Sequence, residues 1–348
     1  MAEPMGATRT SEERRRDRAE AIERFVRDYA PCENEDLLRE MLVTICRLSA
    51  DGVDRGDLKI LNTALKELRY AFKVFAPYEH IPKVSIFGSA RTPEDHPQYL
   101  EAKKFAEMIG GAGWMVITGA GGGIMRAGHH GATREASFGV SISLPFEQLT
   151  NDVIADDPKL VNFKYFFTRK LIFVKEAKAI VLFPGGFGTQ DEGFEAMTLV
   201  QTAKTAPIPI VLCEEPGGTY WKHWRSYVKA ELLGNAMIDP ADMDLFHVTD
   251  RAEDAVDAIL KFYRRYHSMR YVWDRLAIRM NSPVSAEVLS ELNERFADIL
   301  TSGRIEQTNQ PIEGENGAFA DKPRLVIAFD RRSTGKLRAL INRINEAG

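Results

Sequence analysis

The hydrophobic pattern of residues 10–75 predicts three amphipathic helices. In each of three segments the apolar residues recur every three or four positions, which is the period of one face of an α-helix. The third segment, for example, places Leu58, Leu61, Leu65 and Leu68 on one side. Because apolar helix faces have to be buried against something, we expect these faces to pack on the outside of the rest of the chain or on a neighbouring subunit.

From residue 84 to about residue 265, short apolar runs alternate with helical segments. The runs are VSIFG (84–88), WMVIT (114–118), GVSISL (139–144), AIVLF (179–183) and IPIVLC (208–213). Continuous apolar strands separated by helices indicate a parallel sheet covered on both faces, because right-handed crossovers place the helices there. A weaker strand at 245–249 precedes a helix predicted from Ala252 to about His267. The predicted fold class is therefore α/β, a doubly wound Rossmann-like parallel sheet.

Beyond residue 270 the pattern is weaker and predicts an α/β extension. Residues 285–300 have the spacing of an amphipathic helix, with Ser285 as its N-cap. The polar stretch 301–323 contains glycine and proline and predicts a loop or linker, whereas 324–330 predicts a strand and the last residues a helix. The predicted division is an N-terminal helical region (1–78), a Rossmann-like domain (79–270) and a C-terminal extension (271–348).

Composition and charge exclude several classes of protein. The 348 residues include 46 Lys and Arg against 50 Asp and Glu, and a formal net charge of −4 gives no basic field for nucleic acid. No apolar run approaches the roughly 20 residues that cross a bilayer, and the N-terminus lacks the apolar core of a secretory signal. Three widely spaced cysteines suit a reducing compartment. We therefore expect a cytoplasmic protein that binds neither nucleic acid nor membranes.

The first candidate for chemistry is the glycine-rich turn GAGGG (119–123), which follows an apolar run and opens a helix. Glycines let a ligand approach the backbone closely, and the free N–H groups of a helix start favour an anion. The turn is neither a dinucleotide fingerprint, because Ile124 stands where the third glycine belongs, nor a Walker loop. A tight turn without ligand is the alternative, but four glycines in five positions favour a phosphate site.

A second glycine-rich turn, PGGFGT (184–189), follows the run at 179–183. Thr189 can cap the next helix and offer a hydroxyl to a phosphate. Glu192 and Glu195, one turn apart, are either ordinary acids near a helix N-terminus or face the crevice above the strand ends, where open α/β sheets bind ligands. Two such turns at one crevice predict a single nucleotide-sized site.

Further along, Arg169 and Lys170 interrupt the apolar stretch FFTRKLIF (166–173). The planar guanidinium of Arg169 suits a phosphate or a carboxylate, whereas Lys170 can equally point to solvent. His129 and His130 have no acidic partner at ligand spacing, so we expect no metal. Nothing in the sequence suggests a Schiff base at Lys170, and no cofactor is expected.

Four segments together resemble the Lonely Guy (LOG) family, whose members were once mislabelled lysine decarboxylases. PGGFGTQDE (184–192) fits the family motif PGGxGTxxE, and Thr168-Arg169-Lys170 falls at the family's Arg-Lys pair. FGSAR (87–91) and GAGGGIM (119–125) resemble its first strand and turn and its second turn. The resemblance spans about residues 80–265 and leaves both ends of the chain outside the family core.

The resemblance implies a phosphoribohydrolase that cleaves a nucleoside 5′-monophosphate, such as AMP or a cytokinin riboside monophosphate, into free base and ribose 5-phosphate. Arg169 and Glu192 would be the catalytic pair. Family members are usually dimers or assemblies of dimers, so a homodimer or higher homo-oligomer is expected. The residues that would bind substrate, with the glycine turns holding the phosphate, are Gly88, Ser89, Gly121, Gly122, Gly123, Lys170, Gly185, Gly186, Gly188, Thr189 and Glu195.

Three alternatives to this function differ in class. A non-catalytic nucleotide- or cofactor-binding module would not need both Arg169 and Glu192. A regulated nucleosidase would share the chemistry and use the extra segments to bind an effector. A DNA-binding Rossmann-like protein is disfavoured by the acidic balance. At the start of the helix after the GAGGG turn, Met125-Arg126-Ala127 stands where the family commonly has a smaller, glycine-containing stretch. This difference leaves the preferred base open among adenine, an N6-modified adenine, guanine and pyrimidines.

Overall fold

The computed structural model describes residues 10–144, 150–315, 317 and 319–347. The chain divides into two compact units between Lys66 and Glu67. The first unit contains the three predicted helices α1 (Ser11–Tyr29), α2 (Glu35–Ala50) and most of α3 (Arg55–Phe75). None of the helices in the described residues combines the length and apolar character needed to cross a membrane.

Within the first unit, local polar contacts define the helix ends. Thr10 accepts from the backbone N–H of Glu13 at 3.2 Å, and Glu13 accepts from the N–H of Thr10 at 2.7 Å, which forms a capping box. Arg39 on α2 pairs with Glu23 on α1 at 2.9 Å. The apolar stripes predicted on α2 and α3 are present, and members such as Met41 and Leu61 remain half-exposed.

The second unit is built on a seven-stranded sheet in which every neighbouring pair is parallel, in the order β4-β3-β2-β1-β5-β6-β7. Its strands are β1 (Lys83–Phe87), β2 (Met115–Thr118), β3 (Ser137–Ile142), β4 (Leu160–Phe163), β5 (Ala179–Leu182), β6 (Ile210–Cys213) and β7 (His247–Thr249). The doubly wound α/β fold predicted from the sequence is confirmed. β4 was not predicted, because it is short and its Asn162 is exposed.

Helices cover both faces of the parallel sheet. They are α4 (Pro97–Gly111), α5 (Ile124–Ala132), α6 (Phe166–Glu176), α7 (Phe187–Gln201), α8 (Tyr220–Tyr227), which continues as a π-helix over Val228–Leu233, and α9 (Ala252–Phe262). α6, α7, α8 and the end of α3 build the core on one face, and α4, α5 and α9 build it on the other. Alternate residues of each central strand enter the two cores, which is why these strands are apolar throughout.

The centre of the parallel sheet is the point where the strand order reverses. From β1 the chain runs outward through β2 and β3 to β4, and it returns to β5 on the other side of β1 before continuing to β7. The loops after β1 and β5 therefore diverge and leave a crevice above the carboxyl ends of these strands.

The C-terminal part of the second unit forms an antiparallel sheet in the order β10-β11-β9-β8. Its elements are β8 (Tyr266–Val272), β9 (Arg275–Met280), α10 (Ala286–Arg295), β10 (Leu300–Thr308), β11 (Arg324–Phe329) and α11 (Thr334–Glu346). The predicted N-cap at Ser285 is confirmed, since its side chain accepts from Val288 N–H at 3.3 Å. Two predictions were wrong. The helix expected to reach His267 ends at Phe262, and the expected loop at 301–323 begins with a strand.

One buried carboxylate joins two strands of this antiparallel sheet. Arg279 on β9 and Arg324 on β11 stand directly opposite each other in the strand register. Glu315 lies between them and accepts from Nη2 of Arg279 at 2.7 Å and from Nε of Arg324 at 2.7 Å. All three side chains are buried, so the carboxylate compensates two charges that would otherwise repel each other.

Candidate active site

The crevice above β1, β2 and β5 contains a cleft of about 660 Å³. The predicted site residues that line it are Gly88, Ser89, Arg169, Gly186, Gly188, Thr189 and Glu192. The structure also brings Gly119, Arg91 and Asp191 to its wall, none of which was predicted as a site residue. Each of the three turns after β1, β2 and β5 therefore contributes to one site.

The turns after β1 and β5 are joined directly. The N–H of Ser89 donates to the carbonyl of Pro184 at 3.1 Å. A Cβ at Gly88 would overlap the side chain of Ile124, and one at Gly185 would overlap Thr189. Gly185 is thus explained by close packing behind the turn, and it does not line the cleft.

The glycines at 121–123 lie beneath the turn after β1 and do not line the cleft. Gly123 has a φ of +58°, and a Cβ there would overlap the backbone of Ser89 and Ala90. The carbonyl of Gly121 accepts from Nδ2 of Asn151 at 3.0 Å. In this structure the three residues support the neighbouring turn, and their contact with a substrate remains a prediction.

Arg169 is oriented by contacts on several sides. It lies on α6, its Nε donates to the carbonyl of Val140 at 2.9 Å, and its guanidinium carbon stands 5.1 Å from the ring centre of Phe173. A Cβ at Gly119 would overlap Nη2 of Arg169. The first glycine of the GAGGG turn therefore leaves the space into which this guanidinium fits.

α7 begins inside the cleft. Its N-cap is Gly186, so Thr189 lies in the first turn and is not the cap that the sequence predicted. An added Cβ at Gly186 or Gly188 would meet no atom within 4 Å, which leaves the helix start open. A helix start exposed in this way presents unpaired N–H groups and the positive end of the helix dipole to a ligand.

Glu192 is a buried carboxylate on α7 with 9% of its surface exposed. Among the described residues it makes no ion pair and accepts no side-chain hydrogen bond. Burial raises its pKa to about 7, although the nearby charges of Lys170 and Arg169 act in the opposite direction. Burial likewise lowers the pKa of Arg169, and Glu192 opposes that shift. The cleft thus holds an acid poised near neutrality beside a desolvated cation.

Lys170 and Glu195 face away from the cleft. Nζ of Lys170 lies 2.8 Å from Oδ2 of Asp191 and 2.8 Å from Oε2 of Glu195, and both side chains line a separate groove. Burial disfavours the charged lysine, but these two ion pairs outweigh it and raise its pKa. The expectation that Glu195 shares the crevice with Glu192 is wrong, because positions three apart on a helix diverge by about 60° around its axis.

Two comparisons with known proteins point to the same family. The family described as "Possible lysine decarboxylase" matches residues 122–259. A cytokinin riboside 5′-monophosphate phosphoribohydrolase from Mycobacterium tuberculosis is 28% identical over 169 residues, which is 47% of this chain and 86% of that relative. Over this part of its length the chain is similar to the LOG family.

Solved structures similar to this chain include two that concern the molybdenum cofactor. A carrier protein from Chlamydomonas reinhardtii has a TM-score of 0.37 and 20% identity, over 52% of this chain and 96% of its own. A binding protein from Rippkaea orientalis has a TM-score of 0.36 and 17% identity, with the same two coverages. At such TM-scores neither similarity bears on the function of this chain.

A carboxylate outside the LOG motifs supports the helix that carries Arg169. Glu67, on the part of α3 that belongs to the second unit, accepts from the N–H of Lys164 at 2.6 Å and from Oγ1 of Thr168 at 2.6 Å. Tyr165, the N-cap of α6, provides no side-chain cap of its own. Glu67 therefore ties the residue before the N-cap and the hydroxyl of the first turn to α3, and so fixes the start of α6 from a distant position in the chain. No local pattern marks it in the sequence.

His129, which the sequence analysis considered as a metal ligand, is part of a buried hydrogen-bond network. Its Nε2 lies 3.0 Å from both Oγ1 of Thr118 and the carbonyl of Phe138, and its Nδ1 lies 3.2 Å from Oδ1 of Asn151. Burial lowers its pKa, so the neutral ring is favoured. In the part of the chain that the structure describes, no group of three His, Cys, Asp or Glu side chains is placed to hold a metal ion.

Proposed function

We propose that this protein hydrolyses the N-glycosidic bond of nucleoside 5′-monophosphates, releasing the free base and ribose 5-phosphate. The observation that carries the proposal is the pairing, in one cleft, of a buried unneutralised Glu192 with an oriented Arg169 beside an open helix start. The similarity to the LOG family and the activity named for the mycobacterial relative support the same reaction.

The start of α7 is the proposed site for the 5′-phosphate. Gly186 and Gly188 leave room for an anion, and Thr189 adds a hydroxyl at the same helix end. Arg91 lines the cleft, is exposed, and makes no ion pair within the described residues, so its guanidinium is free to pair with a phosphate. Ser89 lies in the same turn as Arg91 and offers a further donor.

Glu192 is proposed to act on the ribose. As the bond between C1′ and the base nitrogen breaks, its electron pair leaves with the base and positive charge develops on the ribose ring. A carboxylate below that ring stabilises the charge and orients or deprotonates the attacking water, whose oxygen bonds to C1′. The proton then passes to the departing base. A pKa of about 7 leaves a large fraction of Glu192 ionised at neutral pH.

Arg169 is proposed to hold the reacting groups in position. Its contacts with Val140 and Phe173 restrict the guanidinium to one orientation, so little conformational freedom remains to be lost when substrate binds. Its charge also lowers the pKa of Glu192, which favours the ionised form needed for the reaction. Arg169 therefore contributes to catalysis whether it touches the phosphate or only the carboxylate.

A substrate panel tests the proposal. The protein is incubated with AMP, GMP, CMP, UMP and an N6-modified AMP, and free base is detected by chromatography, with the matching nucleosides as controls. We expect release of base from at least one monophosphate and far less from its nucleoside. Equal kcat/KM for AMP and adenosine would contradict the phosphate site. Nucleotides that bind but stay intact would instead support the non-catalytic binding module.

We also propose a homodimer or larger homo-oligomer. Apolar side chains of α6 and of the start of α7 remain exposed, and Phe187, which lines the cleft, is 97% exposed. Phe166 at the cleft, and Phe167 and Leu171 at the neighbouring groove, are about half exposed. An apolar cluster of this kind is typical of a surface that a second subunit covers. Light scattering of the full chain should give at least twice the monomer mass, and replacing Phe187 with Ser should reduce it.

A further inference from the structure

A second cavity, of about 960 Å³, lies at the β7 edge of the parallel sheet. β7 and α9 form one side of it, and α11 from the C-terminal part of the chain forms the other. It shares no lining residue with the proposed catalytic cleft. The proposed hydrolysis gives this cavity no role.

A buried arginine forms part of its wall. Arg338 on α11 is only 8% exposed, and its guanidinium carbon stands 4.2 Å from the ring centre of Phe262. Its Nη1 donates to the carbonyl of Ile208 at 2.6 Å and its Nε to Oδ1 of Asn342 at 3.2 Å. Within the described residues, no carboxylate pairs with this charge and its Nη2 has no hydrogen-bond partner. Asp244 stands near enough to raise the pKa of Arg338, but burial outweighs it, so this buried cation is only partly compensated.

The amide of Asn342 supplies a second unpaired donor next to Arg338. Because Nε of Arg338 can only donate, the oxygen of Asn342 has to face it, and the amide nitrogen Nδ2 is left on the other side. In the described part of the chain Nδ2 of Asn342 has no acceptor. Both residues line the cavity, one helical turn apart. Two adjacent donors of this kind match the two oxygens of a carboxylate.

The rest of the lining is predominantly acidic. It includes five carboxylates against three cations, one of which is Arg338. Asp257 is already paired with Lys261 at 2.6 Å, whereas Asp244 and Asp254 are exposed and make no ion pair among the described residues. A phosphate or another polyanion would be repelled by this rim, and a simple cation would be repelled by Arg338. The arrangement favours a small ligand that carries both a carboxylate and a cationic group.

We propose that this cavity is a binding site for a free α-amino acid. The ligand's carboxylate accepts from Nη2 of Arg338 and Nδ2 of Asn342, and its ammonium group faces Asp244 and Asp254 at the rim. Binding of the carboxylate supplies a direct ion pair for the buried guanidinium, which has none among the described residues. The site is independent of the proposed hydrolysis.

Isothermal titration calorimetry on the full chain tests the site. The probes are the twenty standard L-amino acids, with acetate and methylamine as the two halves of the zwitterion and inorganic phosphate as the polyanion. We expect saturable binding of at least one amino acid, and at least tenfold weaker binding of acetate, methylamine and phosphate. Phosphate binding more tightly than every amino acid, or no amino acid binding at millimolar concentration, would overturn the proposal.

Variants assign the binding to this cavity. Arg338→Met and Asn342→Leu remove the carboxylate donors, and Asp254→Asn removes an exposed rim charge with little risk to folding. Each should weaken the binding of the amino acid by about tenfold or more, because each removes a charge or a charge-assisted hydrogen bond. Arg343→Gln is the matched control, since Arg343 lies on the same helix but pairs with Glu291 outside the cavity. If Asn342→Leu folds, and if both this variant and Asp254→Asn bind the amino acid with unchanged affinity, the assignment is refuted.

Discussion

The helices α6 and α7 present two acid–base pairs of opposite character on their two sides. Lys170 and Glu195 are joined at 2.8 Å and face a groove, whereas their neighbours Arg169 and Glu192 face the cleft and are not joined as an ion pair. The first pair neutralises itself, and its electrostatic effect is a raised pKa of Lys170. The second leaves a buried carboxylate with a pKa of about 7.

The contrast shows where the protein accepts an electrostatic cost. An ion pair at Glu192 of the kind seen at Glu195 would lower its pKa and occupy the carboxylate, so it could no longer serve a substrate. Perturbed pKa values are concentrated at functional sites for this reason. Five predictions test this contrast between the two pairs.

The largest expected effect is on turnover in Glu192→Gln. The amide is nearly the same size but cannot offset positive charge on the ribose, so kcat for the best monophosphate should fall by roughly 10²–10³. The measurement is release of free base under saturating substrate. A near wild-type rate would show that Glu192 is not the catalytic carboxylate.

The pH dependence should report the same carboxylate. Because burial raises the pKa of Glu192 to about 7, kcat/KM should rise with pH through that value and fall about tenfold for each pH unit below it. A rate profile in buffers of constant ionic strength measures this limb. A profile that stays flat down to pH values near the ordinary glutamate pKa would contradict an essential ionised Glu192.

Glu192→Gln should also make the protein more stable in weakly alkaline solution. A group with a raised pKa in the folded state contributes stability below its unfolded pKa and loses it as pH rises through the folded value, here about 7. At about pH 8 the variant should unfold with a free energy roughly 1–3 kcal/mol larger than wild type. Urea unfolding at two pH values tests this, and the difference should vanish near pH 4.5, where both proteins carry a neutral group.

A smaller effect is expected from Glu67. In Glu67→Gln the backbone N–H of Lys164 and the hydroxyl of Thr168 lose a charged acceptor, so the start of α6, and with it Arg169, is held less firmly. We expect kcat to fall by about three- to tenfold, which corresponds to the roughly 1 kcal/mol of a lost hydrogen bond. The acidic limb of the pH profile should move upward, since Arg169 lowers the pKa of Glu192.

The matched control for Glu67→Gln is Glu176→Gln, at the other end of α6. Glu176 pairs with Lys175 and lies outside the cleft. This variant should leave both kcat and the pH profile unchanged. If both variants lose stability equally while the pH profile of Glu67→Gln does not move, Glu67 is merely structural.

The smallest effect is expected on the neutralised side of the helices. Glu195→Gln removes one of two ion pairs of Lys170, a partly exposed contact that contributes little, so kcat/KM should stay within about threefold of wild type. Steady-state kinetics of Glu195→Gln, measured in parallel with those of Glu192→Gln, provide the comparison. A loss as large as that of Glu192→Gln would place Glu195 in the substrate site after all.

The two sheets show how far the sequence predicts the fold. The central strands of the parallel sheet are buried on both faces, so they appear as continuous apolar runs and were predicted, whereas the edge strand β4 was not. β10 is an edge strand whose residues are mostly exposed, and its polar sequence resembles a loop until β11 pairs with it. The β8–β9 hairpin turns at Trp273, which has a φ of +54° without the Asn-Gly or Asp-Gly pair that marks such turns.

The same limit applies to the candidate site. Residues of the glycine turns, Arg169 and Glu192 could be predicted because a short motif places them at the end of a strand or the start of a helix. Glu67 lies about a hundred residues before the helix whose start it holds, so only the folded chain reveals it. Arg91 belongs to a segment that the sequence did flag, but its unpaired charge at the cleft wall is a tertiary feature.

The carboxylate between Arg279 and Arg324 has a consequence for the protein in acid. Burial alone would raise the pKa of Glu315, but hydrogen bonds from the backbone of Ile312 and from both arginines outweigh it and hold the pKa low. Its contribution to stability is present above the ordinary glutamate pKa and is lost as pH falls through the lowered value. Once Glu315 is protonated, the charged acceptor shared by Arg279 and Arg324 is lost. We therefore expect strong acid to weaken the link between β9 and β11.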